Sequence, residues 1–218
     1  MPMMQAWRVV LGLTEDFDDL MTMNKVGKVF TLPFIVEALI KRFADLDAEL
    51  YLGWRADLFT AFRSIHFGGQ FRDFASHLSD SLLINIRFCA HELDKRAPEK
   101  VVSPEDLATL REAAWALYEA VLASDLPPHL FRYLLDYIYL ILSAIDDYNI
   151  TGATALEHAL NAAIGTVATD RTTAAEVKQT PLGERFWALV SKVGLLLQLA
   201  KSATELAEGV QKLLTNKT

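Results

Sequence analysis

TPLGERFWALVSKVGLLLQLAKSATELAEGVQKLL, residues 180–214, is the stretch whose reading decides the fold class. Phe186, Leu189, Val193, Leu196, Ala200, Ala203, Ala207, Val210 and Leu214 recur at alternating steps of three and four, the spacing that aligns one apolar seam along a helix. Thr180 offers a capping hydroxyl, and Pro181 stands at the first helical position, where a missing N–H is not needed. The pattern predicts a long C-terminal helix whose apolar edge requires cover. Three covers would serve: the chain's own bundle, a partner that is itself or another helical protein, or a membrane surface. Small side chains at Ala200, Ala203 and Ala207 suit a closely approaching helix. The greasiest part, Phe186 to Ala200, reaches only about 22 Å at ~1.5 Å per residue, short of a ~30 Å hydrocarbon core. A membrane role would therefore be an in-plane one, with Lys192 opposing deeper insertion.

Toward the start of the chain the same helical period returns, and no alternating run bounded by hairpin turns interrupts it. Asp170 to Gln179 reads as a polar linker. Thr154 with Glu157 three residues on reads as a capping box for a helix reaching about Ala168. Leu130 to Leu142, apolar on almost every side apart from Arg132 and Asp136, predicts a central helix, with Tyr133, Tyr137 and Tyr139 placing hydroxyls at the edge of the packing. Ser103-Pro104-Glu105-Asp106 combines a cap, a first-turn proline and two acids at the positive end of a helix whose inner face is Leu107, Leu110, Ala114, Leu117 and Val121.

Ala97 to Val102 mixes proline with charge and marks a boundary between an N-terminal helical subdomain, 1–97, and a C-terminal helical bundle, 103–218, unless the two form one continuous domain. In the first half, Phe71, Ala75, Leu78, Leu82, Ile86, Cys89 and Leu93 predict one long helix after the break at Gly68-Gly69. Trp54 to Phe67 predicts another. Ile35, Leu39, Phe43, Leu46 and Leu50 predict a helix from Pro33 to Leu50, ended by Gly53. Met3 to Leu11 and the residues after Thr14 read as shorter helices, with Gly27 weakening continuity. The expectation is an all-α, multi-helix bundle of about seven helices.

Apolar residues make up 52% of the chain and the mean hydropathy is +0.20, which implies more burial than an ordinary soluble monomer needs. A net charge of -7 and a pI near 5.2 leave no basic footprint for duplex nucleic acid. Cys89 is the only cysteine, so no intramolecular disulfide can form, in keeping with a reducing compartment. Met1 to Leu13 lacks the pattern of a secretory signal, and a cytoplasmic location is expected.

DLPPHLFRYLLDYIYLILSAIDDYNITGATALEHALNAAIG, residues 125–165, followed by TPLGERFWALVSKVGLLLQLAKSA, residues 180–203, resembles a group of small, largely helical bacterial proteins with no assigned activity. The resemblance covers the C-terminal half and implies a protein of bacterial type.

Chemistry-bearing residues concentrate on the predicted helix after Gly69. Asp73, His77, Asp80, Ile84, Arg87 and His91 fall at steps of three and four and would share a face. Arg87 and His91, with Asp80, could act on a phosphodiester, the guanidinium stabilising phosphate charge while the imidazole moves a proton. That arrangement resembles helical RNA-cleaving dimers that pair an arginine with a histidine farther along one helix, although Phe88-Cys89-Ala90 is a shorter spacer than theirs. Asp73, His77 and Asp80 could alternatively share a metal ion, lacking a fourth ligand. The plain alternative is a solvated helix face. Glu15-Asp16-Phe17-Asp18-Asp19 reads as a charged first turn, since it lacks the alternating ligands and turn glycine of a calcium loop. Gly68-Gly69 has no preceding strand and no following Gly-Lys-Ser/Thr, so it reads as a helix break. Without a Gly-x-Ser-x-Gly nucleophile either, the expected function is a non-catalytic helical protein-interaction or assembly protein that uses no cofactor. A nuclease-like toxin and a membrane-surface-acting effector are the alternatives.

Overall fold

A computed structural model describes residues 1–13 and 18–197. Among the described residues every regular element is helical, and β structure is confined to a bridge between Pro2 and Gln70. The protein is all-α. The helices number twelve among the described residues, more than the expected seven or so, because single-turn segments punctuate the connections. The chain divides into two compact units, the first Met1–Glu99 and the second beginning at Lys100.

The first unit contains α1 (Met3–Val10), α2 (Asp19–Arg42), α3 (Ala48–Leu52), α4 (Arg55–Arg63), α5 (Phe71–Ala75) and α6 (Asp80–Arg96). Asp18 starts α2 by accepting the Met21 N–H at 2.7 Å, and Asp19 occupies the first turn. The remaining acids of that run, Glu15 and Asp16, lie outside the described residues.

The helix expected from Pro33 to Leu50 is replaced by the second half of α2, which runs through Pro33 and stops at Arg42, while Leu50 belongs to α3. Pro33 removes one helical hydrogen bond, yet it is buried along the same side as Thr22, Val26 and Ile40, and that burial carries the helix past it. Gly27 is also inside α2. The long helix expected from Phe71 to Leu93 is divided in two at Ser76–Ser79. Ser79 caps α6 by accepting the Leu82 N–H at 3.2 Å, and the Ser76 hydroxyl donates to the Asp73 carbonyl at 2.7 Å.

Two small clusters form in this unit. Ile40, Leu46, Trp54, Leu82, Cys89 and Leu93 make one, and Met3, Trp7, Val26, Ala61 and Phe74 the other. The chain start is tied down where the Met3 N–H donates to the Gly69 carbonyl at 2.9 Å and the Phe71 N–H to the Met1 carbonyl at 3.1 Å.

The second unit contains α7 (Pro104–Leu122), α8 (Pro128–Asp146), α9 (Tyr148–Thr151), α10 (Ala153–Thr169), α11 (Arg171–Lys178) and α12 (Pro181–Leu196). One contiguous core joins them. Helix α8 buries Leu130, Tyr133, Leu134, Ile138, Ile141, Leu142, Ala144 and Ile145 against α7, α10 and α11, and leaves Tyr139 outside. Ser103 caps α7 by accepting the Asp106 N–H at 3.1 Å.

Two expectations change in this unit. The linker Asp170 to Gln179 is α11, capped by Asp170, with Ala174 and Val177 fully buried beneath its polar residues. The capping box at Thr154 does not form: Gly152 precedes α10 at φ 57 and ψ -147, backbone that glycine alone adopts readily, and Glu157 pairs with Lys100 at 3.2 Å. Helix α12 is started by Thr180, whose hydroxyl oxygen accepts the Gly183 N–H at 2.9 Å, and it spans Pro181–Leu196; the expected continuation to Leu214 lies outside the described residues.

Tyr133 is the polar anomaly of this core. Its ring lies 5.0 Å from Tyr137 and 6.1 Å from Phe186, centroid to centroid, and its buried hydroxyl has no hydrogen-bond partner among the described residues. The Tyr137 hydroxyl, by contrast, is met by Thr166. Burial first, then the neighbouring Tyr137 and Asp170, push the Tyr133 phenol well above its ordinary pKa. Tyr133→Phe is expected to stabilise the unit by about 1 kcal/mol at neutral pH, because it deletes an unsatisfied buried hydroxyl. The raised value belongs to the folded state, so its stabilisation is complete below the unfolded phenol pKa of about 10 and fades as pH rises toward the folded value. Chemical denaturation at neutral and alkaline pH should therefore show a shallower alkaline decline for the variant. Destabilisation at neutral pH would show instead that the hydroxyl has a partner.

Candidate functional site

Helix α2 is apolar on more than one side. Val26 and Ile40 enter the two clusters, Phe34 and Ile35 face outward, and along the side of Val26 and Ile40 the residues Val29, Leu32, Pro33 and Val36 line an apolar cavity of about 760 Å³. Across the cavity, α6 contributes Leu83, Ile86, Cys89, Ala90 and Leu93. Trp7 and Val10 of α1, Leu58 and Phe62 of α4, and Phe71 and Phe74 of α5 extend the wall, together with Trp54 and Leu78. Close packing joins α2 to α1 and α3, α6 to α3, and α4 to α5, but α2 and α6 are not among the closely packed pairs. Ile40, near the end of α2, shares a cluster with Leu82, Cys89 and Leu93 of α6, and the cavity lies beside that cluster.

Its margin is exposed at Val10, Leu83, Ala90, Asp94, Ala97 and Glu99, and both charged residues of the lining, Asp94 and Glu99, are acids. Protein interiors normally close such space, since every wall atom facing a void forfeits dispersion contacts. A volume of this size lies in the range of about 300–1,000 Å³ that small-molecule sites occupy. The chemistry of the walls suits the binding of an apolar group. The indole Nε1 atoms of Trp7 and Trp54 are closed off from solvent and lack a standard hydrogen bond among the described residues. Burial pushes the Cys89 thiol above its ordinary pKa, opposed only in part by the Trp54 N–H beside its sulfur, so the reactive thiolate is disfavoured.

The residues singled out by the sequence lie elsewhere. Asp73 is on α5, His77 in the turn that follows, and Asp80 is the first residue of α6, so the break at Ser76–Ser79 separates what a single helix would have aligned. Among the described residues no group of three His, Cys, Asp or Glu side chains is placed to hold a metal ion. Arg87 and His91 share the exposed face of α6 with Asp80 and Ile84 and do not line the cavity. Phe186, Leu189 and Val193 of the predicted interaction seam are buried in their own unit, and Leu196 packs partly against the same core. Ala200, Ala203, Ala207, Val210 and Leu214 lie outside the described residues.

Sequence reasoning missed the cavity. A signal was nevertheless present: α2 carries more apolar residues than one face of a helix can bury, which is the mark of a helix touching two environments. Among the described residues no helix is long and apolar enough to cross a membrane. No protein-family model, no curated protein and no solved structure matches the chain.

Proposed function

We propose that this chain is a non-catalytic binding protein whose first unit holds one small apolar molecule between α2 and α6. The observation that carries this reading is the cavity of about 760 Å³, walled by aliphatic and aromatic side chains from five helices and open at one margin. Filling it would restore the contacts that its walls lack, so the apolar area removed from water on binding favours occupancy at roughly 25 cal/mol per Å². An assembly built on the final-helix seam is less well supported, because its first positions already cover their own core. The toxin reading is less well supported, because Arg87 and His91 lie on the exposed face of α6 and do not line the cavity.

The wall indoles make the test direct. Replacing Trp115 and Trp187 of the second unit with Phe leaves Trp7 and Trp54 as the only tryptophans. Titration with a bromine-labelled single-chain alcohol is expected to quench them saturably at one molecule per chain. Ala90→Phe, which narrows the exposed margin, is expected to weaken binding about tenfold while leaving helicity unchanged, a difference of about 1.4 kcal/mol. Quenching that never saturates, or that is the same in Ala90→Phe, overturns the proposal.

A further inference from the structure

Resting on the cavity reading, we infer that this site selects amphiphiles with a cationic head, such as an alkylammonium, over carboxylate, sulfate or phosphate amphiphiles of the same chain length. Two observations at the open margin and one on the α2 wall have the same sign. Among the described residues the charged side chains of the lining are Asp94 and Glu99, and no Lys, Arg or His lines the cavity. The margin also holds the end of α6, with Asp94 in its last turns and Ala97 as its C-cap, where helix carbonyls present partial negative charge. On the opposite wall, Pro33 has no N–H to give the Val29 carbonyl, so that acceptor loses its helical donor beside the cavity.

The two cations that follow Asp94 on α6 are engaged with other acids. Lys95 reaches Glu92 at 3.4 Å, and Arg96 reaches both Glu92 and, at 2.8 Å, Asp45. The wall's own donors, the Trp7 and Trp54 indoles, are closed off from solvent. Asp94 is exposed, forms no hydrogen bond or ion pair among the described residues, and sits at the helix end that disfavours an acid. A side chain that breaks a local rule without a compensating contact points to a role outside folding. A ligand cation at the margin would supply that contact.

The test compares three ligands with one decyl chain, each below its aggregation concentration: decyltrimethylammonium, decanol and decyl sulfate. At low salt the ammonium is expected to bind about tenfold tighter than the alcohol and the sulfate about tenfold weaker, with both differences shrinking as salt rises. Asp94→Asn should reduce the ammonium preference severalfold while leaving decanol affinity unchanged, and Asp94→Lys should place the sulfate ahead of the ammonium. Asp125→Asn, on the second unit, changes net charge equally and should leave the preference intact. Saturable decanol binding without a preference for ammonium, or a preference equally reduced by Asp125→Asn, overturns the head-group inference and leaves the cavity reading standing. Failure of all three to bind saturably overturns the cavity reading itself.

Discussion

Phe186→Ala is expected to destabilise the second unit by about 4 kcal/mol, the upper range for truncating a fully buried aromatic side chain. Phe186 is completely buried, with ring centroids 5.0 Å from Trp187, 6.1 Å from Tyr133 and 6.4 Å from Tyr137. Truncation removes the apolar transfer contribution together with the edge-to-face contacts to Tyr133 and Trp187, and leaves a void lined by three large rings. The same substitution decides what the seam does. A seam residue packed in its own core lowers unfolding stability independently of protein concentration, whereas one facing a partner leaves the monomer intact and weakens only association. Denaturant unfolding at two protein concentrations separates the two outcomes, and a loss below about 1 kcal/mol would show that Phe186 is not a core residue.

Gly183→Ala is expected to cost about 3 kcal/mol, the upper range for overpacking a closed site. A Cβ on Gly183 would stand 1.7 Å from the Val177 carbonyl oxygen and 2.5 Å from its carbon. Both atoms are backbone in the last turn of α11, so no flexible side chain can move aside. The corner between α11 and α12 would have to open, drawing Ala174 and Val177 from the core and straining the Thr180 cap on the Gly183 N–H. Gly165 provides the contrast. It lies in α10 with open space where a Cβ would be, so Gly165→Ala should be neutral or slightly stabilising through helix propensity. Thermal unfolding of the two variants side by side measures the difference, and equal midpoints would show that the corner is not tightly closed.

Local signals were the legible part of this protein. Thr180 and Ser103 cap α12 and α7 where their spacing indicates. Leu110, Ala114, Leu117 and Val121, one helical face in the sequence, are all buried. Breakers were less legible, because Pro33 and Gly27 weaken a helix by amounts that burial of neighbouring residues can exceed. Serine was misread in the opposite direction: Ser76 and Ser79 divide α5 from α6 through side-chain hydrogen bonds that compete with a continuous helix. Beneath the polar surface of α11 two buried residues, Ala174 and Val177, were too few to stand out as a period.

The candidate site was less legible than the fold because a cavity is a property of the space between elements. Leu83, Ile86, Ala90 and Leu93 of α6 form an ordinary apolar face, and nothing in their spacing distinguishes a face that meets another helix from one that meets a void. The sequence by itself determined that the chain is helical, where several helices start and which faces are apolar, since capping chemistry and the 3.6-residue period act within a few residues. Only the tertiary structure decided that the described part of the seam is covered by its own unit, that α2 continues through Pro33, and that residues of α2 and α6 together line an apolar space. Periodicity defines a face, but what covers that face depends on contacts between residues distant along the chain.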